Sequence, residues 1–240
     1  MKYSLDEYVR AYEGELRYDF DNEILLNWYP QRILTHTNAM GSLLELGLGH
    51  GYTTDIFSGQ FKKHIVLEGS DSVIQNFKKK FPACPATIIK TYFEEFTSEE
   101  KFDVIVMGFI LEHVNDPVQI LSHFRQFLSP GGKLFVAVPN AEVLNRRIGH
   151  LAGLLSDMQE LSENDHILGH QRYYTVESLS GDIKKAGYEI QKMEGIYLKP
   201  FTTQQIMSLN FDKKILDALC LVGIDYPELS CGIIAELKDK

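Results

Sequence analysis

Several features that would settle a protein's class at once are missing from this chain of 240 residues. No stretch approaches the run of about twenty apolar residues that a bilayer span requires. The first residues, Met1-Lys2-Tyr3-Ser4-Leu5-Asp6-Glu7, carry charges where a secretory leader would have an apolar core. The three cysteines, Cys84, Cys220 and Cys231, form no Cys-x-x-Cys pair, so they read as small buried thiols rather than as a metal knuckle or a disulfide framework. Positive charge is in deficit, with 24 Lys and Arg against 33 Asp and Glu and a net charge of −9. Nucleic-acid binding begins with phosphate neutralisation, so a broad nucleic-acid surface is not expected. The only basic run, Lys78-Lys79-Lys80, lies on an amphipathic segment whose Val73, Ile74, Phe77 and Phe81 face inward, and it reads as a solvated helix face. There is no internal repeat, no low-complexity linker, no His-Glu-x-x-His and no Cys/His cluster. These absences predict one cytoplasmic domain over residues 1–240, and the acidic charge leaves room for a peptide partner, favouring one with a basic leader.

What is present is an alternation. From residue 42 to 139, short apolar runs at 43–46, 64–67, 86–89, 102–107 and 132–138 alternate with amphipathic segments, the pattern of a parallel sheet with helices on both faces. Asp116 and Pro117 open a helix with an apolar stripe of Val118, Leu121, Phe124 and Leu128, and Ser129-Pro130-Gly131-Gly132 ends it. Thr175 is placed to cap a helix through Leu179, Ile183 and Ala186 that stops at Gly187. Tyr188 to Met193 and Ser230 to Leu237 read as the last two strands, with Thr202 to Val222 helical between them. Residues 140–172 show no strand and suit a mobile cover. Residues 1–40 are rich in aromatics (Tyr3, Tyr8, Tyr12, Tyr18, Phe20, Trp28, Tyr29) and suit helices on the sheet edge, a lid, or both.

The densest signal is Leu43-Leu44-Glu45-Leu46-Gly47-Leu48-Gly49-His50-Gly51, a buried strand breaking into three alternating glycines before a helix-compatible run, Tyr52 to Phe57. Glycines here let the backbone turn sharply and approach a ligand closely. A dinucleotide fingerprint would place its third glycine three residues after the second; here the interval is two, and Tyr52 holds that position. The second strand ends at Glu68-Gly69, about twenty residues after the first glycine, where a carboxylate can accept both hydroxyls of an unphosphorylated ribose.

Glu45-x-Gly-x-Gly-x-Gly resembles the first motif of the class I S-adenosylmethionine-dependent methyltransferases. The run Phe102 to Pro117, with Leu111-Glu112-His113-Val114 at its centre, closely resembles the fourth-strand region of small-molecule and lipid-quinone methyltransferases. Asn164 to Thr175 resembles the His…His-x-Arg-aromatic-Thr stretch of the same group, and Glu194 to Pro200 and Pro227 to Cys231 are also similar to it. The resemblance implies a Rossmann-like α/β fold: a seven-stranded, mostly parallel sheet with an antiparallel last strand, a helical cap at 1–40, a lid insertion at 140–172 and a helical addition at 200–228. It implies S-adenosyl-L-methionine as cofactor, with S-adenosyl-L-homocysteine as product, held by Glu45, Gly47, Gly49, Gly51, Glu68, Gly69, the Tyr92-Phe93-Glu94 turn and Gly108. Phe93 fits an adenine slot, and Phe93 and Phe96 fit core anchors equally.

His113 and His170 are the candidate general bases, each with a structural alternative: His113 as a helix-start residue bonded to backbone, His170 as part of a surface capping turn. The chain lacks the Asn/Asp-Pro-Pro-aromatic motif of base-modifying DNA enzymes and the carboxylate cluster of the magnesium-dependent catechol type, so no catalytic metal is expected. The expected reaction is O-methylation, at a hydroxyl or carboxylate, of a small or peptide-derived metabolite. N-methylation of an amine or amino sugar and a non-catalytic cofactor-binding module are the alternatives.

Overall fold

The computed structural model describes residues 19–37 and 41–240, so Tyr3, Tyr8, Tyr12 and Tyr18 lie outside the described residues. Seven strands form one sheet: β1 (Ser42–Leu46), β2 (Lys63–Glu68), β3 (Thr87–Lys90), β4 (Phe102–Gly108), β5 (Leu128–Pro139), β6 (Tyr188–Leu198) and β7 (Ser230–Asp239). Their order is β3-β2-β1-β4-β5-β7-β6. The pairs from β3 through β5 are parallel, and β7 runs antiparallel to both neighbours.

The period-two alternation of each strand divides its side chains between two cores. Leu44, Leu46, Ile105, Met107 and Val136 pack on α4 (Pro117–Arg125) and α7 (Val176–Lys185) through Phe124, Leu179 and Ile183. Leu43, Val104, Val106 and Phe135 face the other way, against α1 (Asp19–His36) and α2 (Tyr52–Phe57) through Tyr29, Ile33 and Phe57. The capping signals are realised. Asp116 accepts from the Gln119 N–H at 2.9 Å with Pro117 next in line, and Thr175 and Ser178 form a capping box.

Several bounds differ from the sequence reading, and the helix opened by Asp116 ends at Arg125, so Leu128 leaves its expected apolar stripe for the sheet. The fifth strand starts at Leu128, because Leu128 pairs with Phe102 before a register shift; Gly131, at φ 77°, lies in that irregular stretch. The sixth continues past Met193 to Leu198, paired with β7. The expected cover at 140–172 contains helices, α5 (Leu144–Leu151) and α6 (Glu163–Leu168), the latter started by a Ser162–Asp165 capping box. The 200–228 addition is two helices, α8 (Thr203–Ser208) and α9 (Lys213–Gly223), separated by a break containing Asn210 at φ 44°.

Polar contacts at both ends hold α1. At one, Asp21 accepts from buried Lys199 Nζ at 2.6 Å and from the Thr203 hydroxyl. At the other, Glu194 of β6 accepts from Arg32 Nε and Nη2, both at 2.9 Å, and pairs with His36 Nε2 at 2.9 Å. Burial pushes the Glu194 carboxyl up, but the Arg32 and Lys192 hydrogen bonds outweigh it and hold the group down at about 2. A depressed carboxyl adds stability that is complete above its ordinary value of 4.5 and is lost as the pH falls through about 2. Glu194→Gln is therefore expected to lower Tm at pH 7 by several degrees, roughly 2–4 °C per kcal/mol for a chain of this size. It should also flatten the acid limb of Tm against pH; a variant with the parent's acid limb would contradict this assignment.

Candidate active site

Between β1 and β4 the strand order reverses, so the loops leaving their carboxyl ends diverge and open a crevice. A cavity of about 560 Å³ occupies it. Its walls are the glycine turn after β1, the tip of β2, the turn after β3, the loop after β4, the inner face of α1, and the segment from Leu168 to Gln171. Every residue expected from the sequence to serve the site lines this cavity except Glu45.

Glu45 shares the face of Leu43 and lies under α2, where its carboxylate accepts from the Thr53 and Thr54 hydroxyls and pairs with His64 Nε2, each at 2.9 Å. It ties the glycine turn's flanking elements together and stays out of the cavity. Gly47, Gly49 and Gly51 adopt φ of 79°, 47° and 82°, a left-handed region that other residues enter only under strain. Glu68 spans two loops: Oε2 accepts from the Leu48 N–H at 3.1 Å and Oε1 from the Ser70 N–H at 2.8 Å. Tyr92, Phe93 and Glu94 line the cavity from a short 3-10 turn, and Phe93 also packs on the main core. Phe96 is a core anchor, stacked on Phe124 with ring centroids 6.0 Å apart.

Gly108 is small for a reason that the strand pattern did not reveal. A Cβ there would stand 2.1 Å from the Tyr29 hydroxyl, so α1 reaches the sheet only because β4 ends in glycine. The next residue, Phe109, sits at φ 57° with its ring edge-on to Tyr29 at 5.6 Å. A strained phenylalanine at a cavity wall is the kind of conformation that surrounding structure must enforce.

The deepest polar part of the wall follows β4. The Glu112 carboxyl is fully buried, and neither oxygen has a hydrogen-bond partner among the described residues. Burial pushes it up to about 7, against the pull of His170 and Arg172. Burial pulls the neighbouring His113 down to about 3, and His170 pushes the same way, so His113 is neutral near pH 7. The rings of His113 and His170 meet edge-to-face at 4.7 Å.

This meeting of residues far apart in sequence is made by backbone acceptors. The Gln171 N–H donates to the Glu112 carbonyl at 2.8 Å and its amide to the His113 carbonyl at 2.7 Å. Arg172 donates to the Leu111 and Val114 carbonyls, the former at 2.8 Å. Glu112, His113 and His170 hold ligand-type atoms within 4.8 Å of one another, and no fourth such residue joins them among the described residues. What the three offer is proton exchange: a carboxyl titrating near neutrality beside two imidazoles.

Three contributors escaped the sequence reading. Glu112 stood inside the quoted Leu-Glu-His-Val run, but nothing in one sequence shows that its carboxyl is buried without a partner. Asp165 bonds His170 from five residues away, a spacing that also fits an ordinary helix turn. Tyr29 was grouped with the other aromatics of the N-terminal segment, and only the approach of α1 to Gly108 singles it out.

A methyltransferase-domain family model matches residues 20–193. The ubiquinone biosynthesis O-methyltransferase of Saccharophagus degradans is 25% identical over 79% of this chain and 80% of its own length. Other curated relatives are matched over less of their length, 58% for one and 44% for another. Among solved structures, the N-methyltransferase NodS of Bradyrhizobium japonicum, in complex with S-adenosyl-L-homocysteine, superposes with a TM-score of 0.63 at 14% identity, over 98% of this chain and 97% of its own. Magnesium protoporphyrin IX methyltransferase of Synechocystis, with the same product bound, gives 0.63 at 12% identity, over 98% and 94%.

The raised Glu112 carboxyl has a measurable signature. The folded chain holds its proton more tightly than the unfolded one, so stability falls as pH rises from 4.5 to about 7 and then levels. Glu112→Gln removes that fall. We expect the variant to match the parent near pH 4 and to exceed it at pH 8 by on the order of 1–3 kcal/mol in denaturant unfolding. A constant difference between the two at all pH values would mean that Glu112 is not a buried acid.

Proposed function

Because the chain belongs to the methyltransferase-domain family and is an S-adenosylmethionine-dependent methyltransferase, we propose that it methylates a hydroxyl of a small or peptide-derived metabolite, without a catalytic metal, in the cytoplasm. The observation that carries this reading is the cluster of Glu112, His113 and His170 at the wall of the 560 Å³ cavity. A hydroxyl acceptor needs a group to take its proton, and the cluster supplies one. A carboxylate acceptor needs none.

In this reading Gly47, Gly49, Gly51, Glu68 and Gly69 hold the ribose and amino-acid ends of the cofactor. Tyr92, Phe93 and Glu94 hold the adenine, and Gly108 and Phe109 bound the reacting end. Support for the fit comes from the positive φ of the three glycines, the 560 Å³ of space, and Glu68 on the cavity wall between the glycine turn and the β2 tip. When bound, S-adenosylmethionine supplies a methyl group on a sulfonium, already activated for transfer. The protein's task is then positioning and water exclusion. Leu25, Leu26, Tyr29 and Phe109 provide an apolar wall for the acceptor's body, and the segment 140–172 acts as the cover. Glu45 supports the glycine turn from behind.

A second reading is N-methylation of an amine. The unpartnered Glu112 carboxyl favours it, since an ammonium group would satisfy those oxygens.

Methyl-labelled S-adenosylmethionine incubated with the chain and a small-molecule extract separates these readings. Label stable to mild base but released by hydriodic acid is expected, as for a methyl ether. Label resistant to both indicates an amine, and volatile methanol after mild base indicates a carboxyl ester. Cofactor binding without transfer in any fraction would remove the enzyme reading. Gly49→Val and Glu68→Ala are each expected to weaken S-adenosylhomocysteine binding at least tenfold by calorimetry, the first because strain at such a turn is worth about 1–3 kcal/mol, the second because it removes the carboxylate assigned to the ribose and its bonds to the Leu48 and Ser70 N–H groups. Unchanged affinity in both would contradict the cofactor assignment.

A further inference from the structure

The lid segment contains a buried carboxylate that the methyltransferase reading does not use. Asp165, on α6, is 6% exposed. Its Oδ1 pairs with His170 Nδ1 at 2.8 Å, and its Oδ2 accepts from the Ser162 N–H at 2.8 Å, the Ser162 hydroxyl and the Tyr173 hydroxyl. The His170 N–H also donates to the Asp165 carbonyl at 2.8 Å, which closes a second link between the same two residues. A carboxylate that accepts this many bonds is an acceptor only, so the ring nitrogen facing it must carry a proton. His170 lines the cavity and its side chain is 11% exposed.

We propose that Asp165 and His170 form a carboxylate–imidazole dyad. Asp165 is the positioning residue that holds His170 as its Nδ1–H tautomer, and Nε2 of His170, rather than His113, takes the acceptor's proton. The proposal rests on the methyltransferase reading for its chemistry and on the Asp165 contacts for its geometry. In the transfer step the acceptor oxygen bonds the methyl carbon as the carbon–sulfur bond breaks and sulfur keeps the pair. The hydroxyl proton passes to Nε2, leaving an imidazolium opposite the Asp165 carboxylate.

The surroundings favour this division of roles. Glu112 and His113 face His170 from the loop after β4 and Asp165 from α6; Tyr173 bonds the same Asp165 carboxylate, and the Arg172 charge acts on Glu112 and His113. Burial pushes the Asp165 carboxyl up, but the bonds from His170, Ser162 and Tyr173 outweigh it and hold the group well below the usual range, so it stays ionised. Among the described residues no carboxylate bonds His113, and burial and His170 destabilise its conjugate acid.

The test is long-range nitrogen–proton NMR on protein labelled with nitrogen-15 histidine, with the rings assigned through His113→Gln and His170→Gln. At pH 8 the parent is expected to show His170 as the Nδ1–H tautomer. Asp165→Asn should shift it towards Nε2–H, while Asp165→Glu restores it. Tyr173→Phe, which removes another bond to the same carboxylate, should leave the tautomer in place and so separates tautomer control from loosening of the lid. A parent His170 in the Nε2–H form, or a ring unmoved by Asp165→Asn, would overturn the dyad. In the label-transfer assay, Asp165→Asn and His170→Gln should lower incorporation by about 10²–10⁴-fold with S-adenosylhomocysteine affinity unchanged. A larger loss in His113→Gln than in His170→Gln would overturn the choice of base. If the parent transfers no label yet shows the Nδ1–H tautomer, the methyltransferase reading fails while the Asp165–His170 geometry stands.

Discussion

Everything at this crevice depends on one constraint of chain direction. β1 and β4 lie side by side and run parallel, and the strand order reverses between them. Their carboxyl ends therefore emerge together, while the chain beyond each must depart to opposite sides. The glycine turn leaves one way into α2, and the Phe109–Asn115 loop leaves the other way towards α4. The gap between them is where backbone can approach a ligand without a side chain in the way. Tyr29 of α1 closes it from one side, with its hydroxyl packed where a Cβ on Gly108 would be.

Around that gap, burial sets the chemistry. A carboxyl and two imidazoles lie within 4.8 Å of one another, and a second carboxyl, that of Asp165, bonds one of those imidazoles, His170. Glu112 has no partner and is pushed towards neutrality, His113 is pushed towards its uncharged form, and Asp165, well supplied with donors, keeps its charge. The fold thus separates three acid–base groups by burial and hydrogen bonding. The structural carboxylates show the opposite regime. Glu45 and Glu194 are saturated by hydroxyl, imidazole or guanidinium partners and serve to hold elements together.

Much of this was legible in the sequence, and the legible part has a common cause. Strands announce themselves because a parallel sheet buried on both faces needs continuous apolar runs, and helix starts because Asp116 and Thr175 are short acceptors at the right place. The glycine turn and Glu68 were legible because only a few residue types can do what the backbone requires there. What stayed hidden depends on distance through space. Glu45 matched the family pattern, but strand alternation turns it under α2. The extra length of β5 and β6 comes from pairing with partners, which no local pattern encodes. The meeting of His170 with His113 depends on Gln171 and Arg172 donating to carbonyls more than fifty positions earlier. Residue type alone does not distinguish such donors from solvated side chains.

If this crevice both binds the cofactor and carries the proton-accepting group, hydrogen–deuterium exchange with and without S-adenosylhomocysteine will show it. Added protection is expected in the glycine turn after β1, the β2 tip, the turn after β3 and the loop after β4, with α9 and the β6–β7 edge unchanged. Protection centred on α9 or that edge, with the glycine turn exchanging as before, would contradict cofactor binding there.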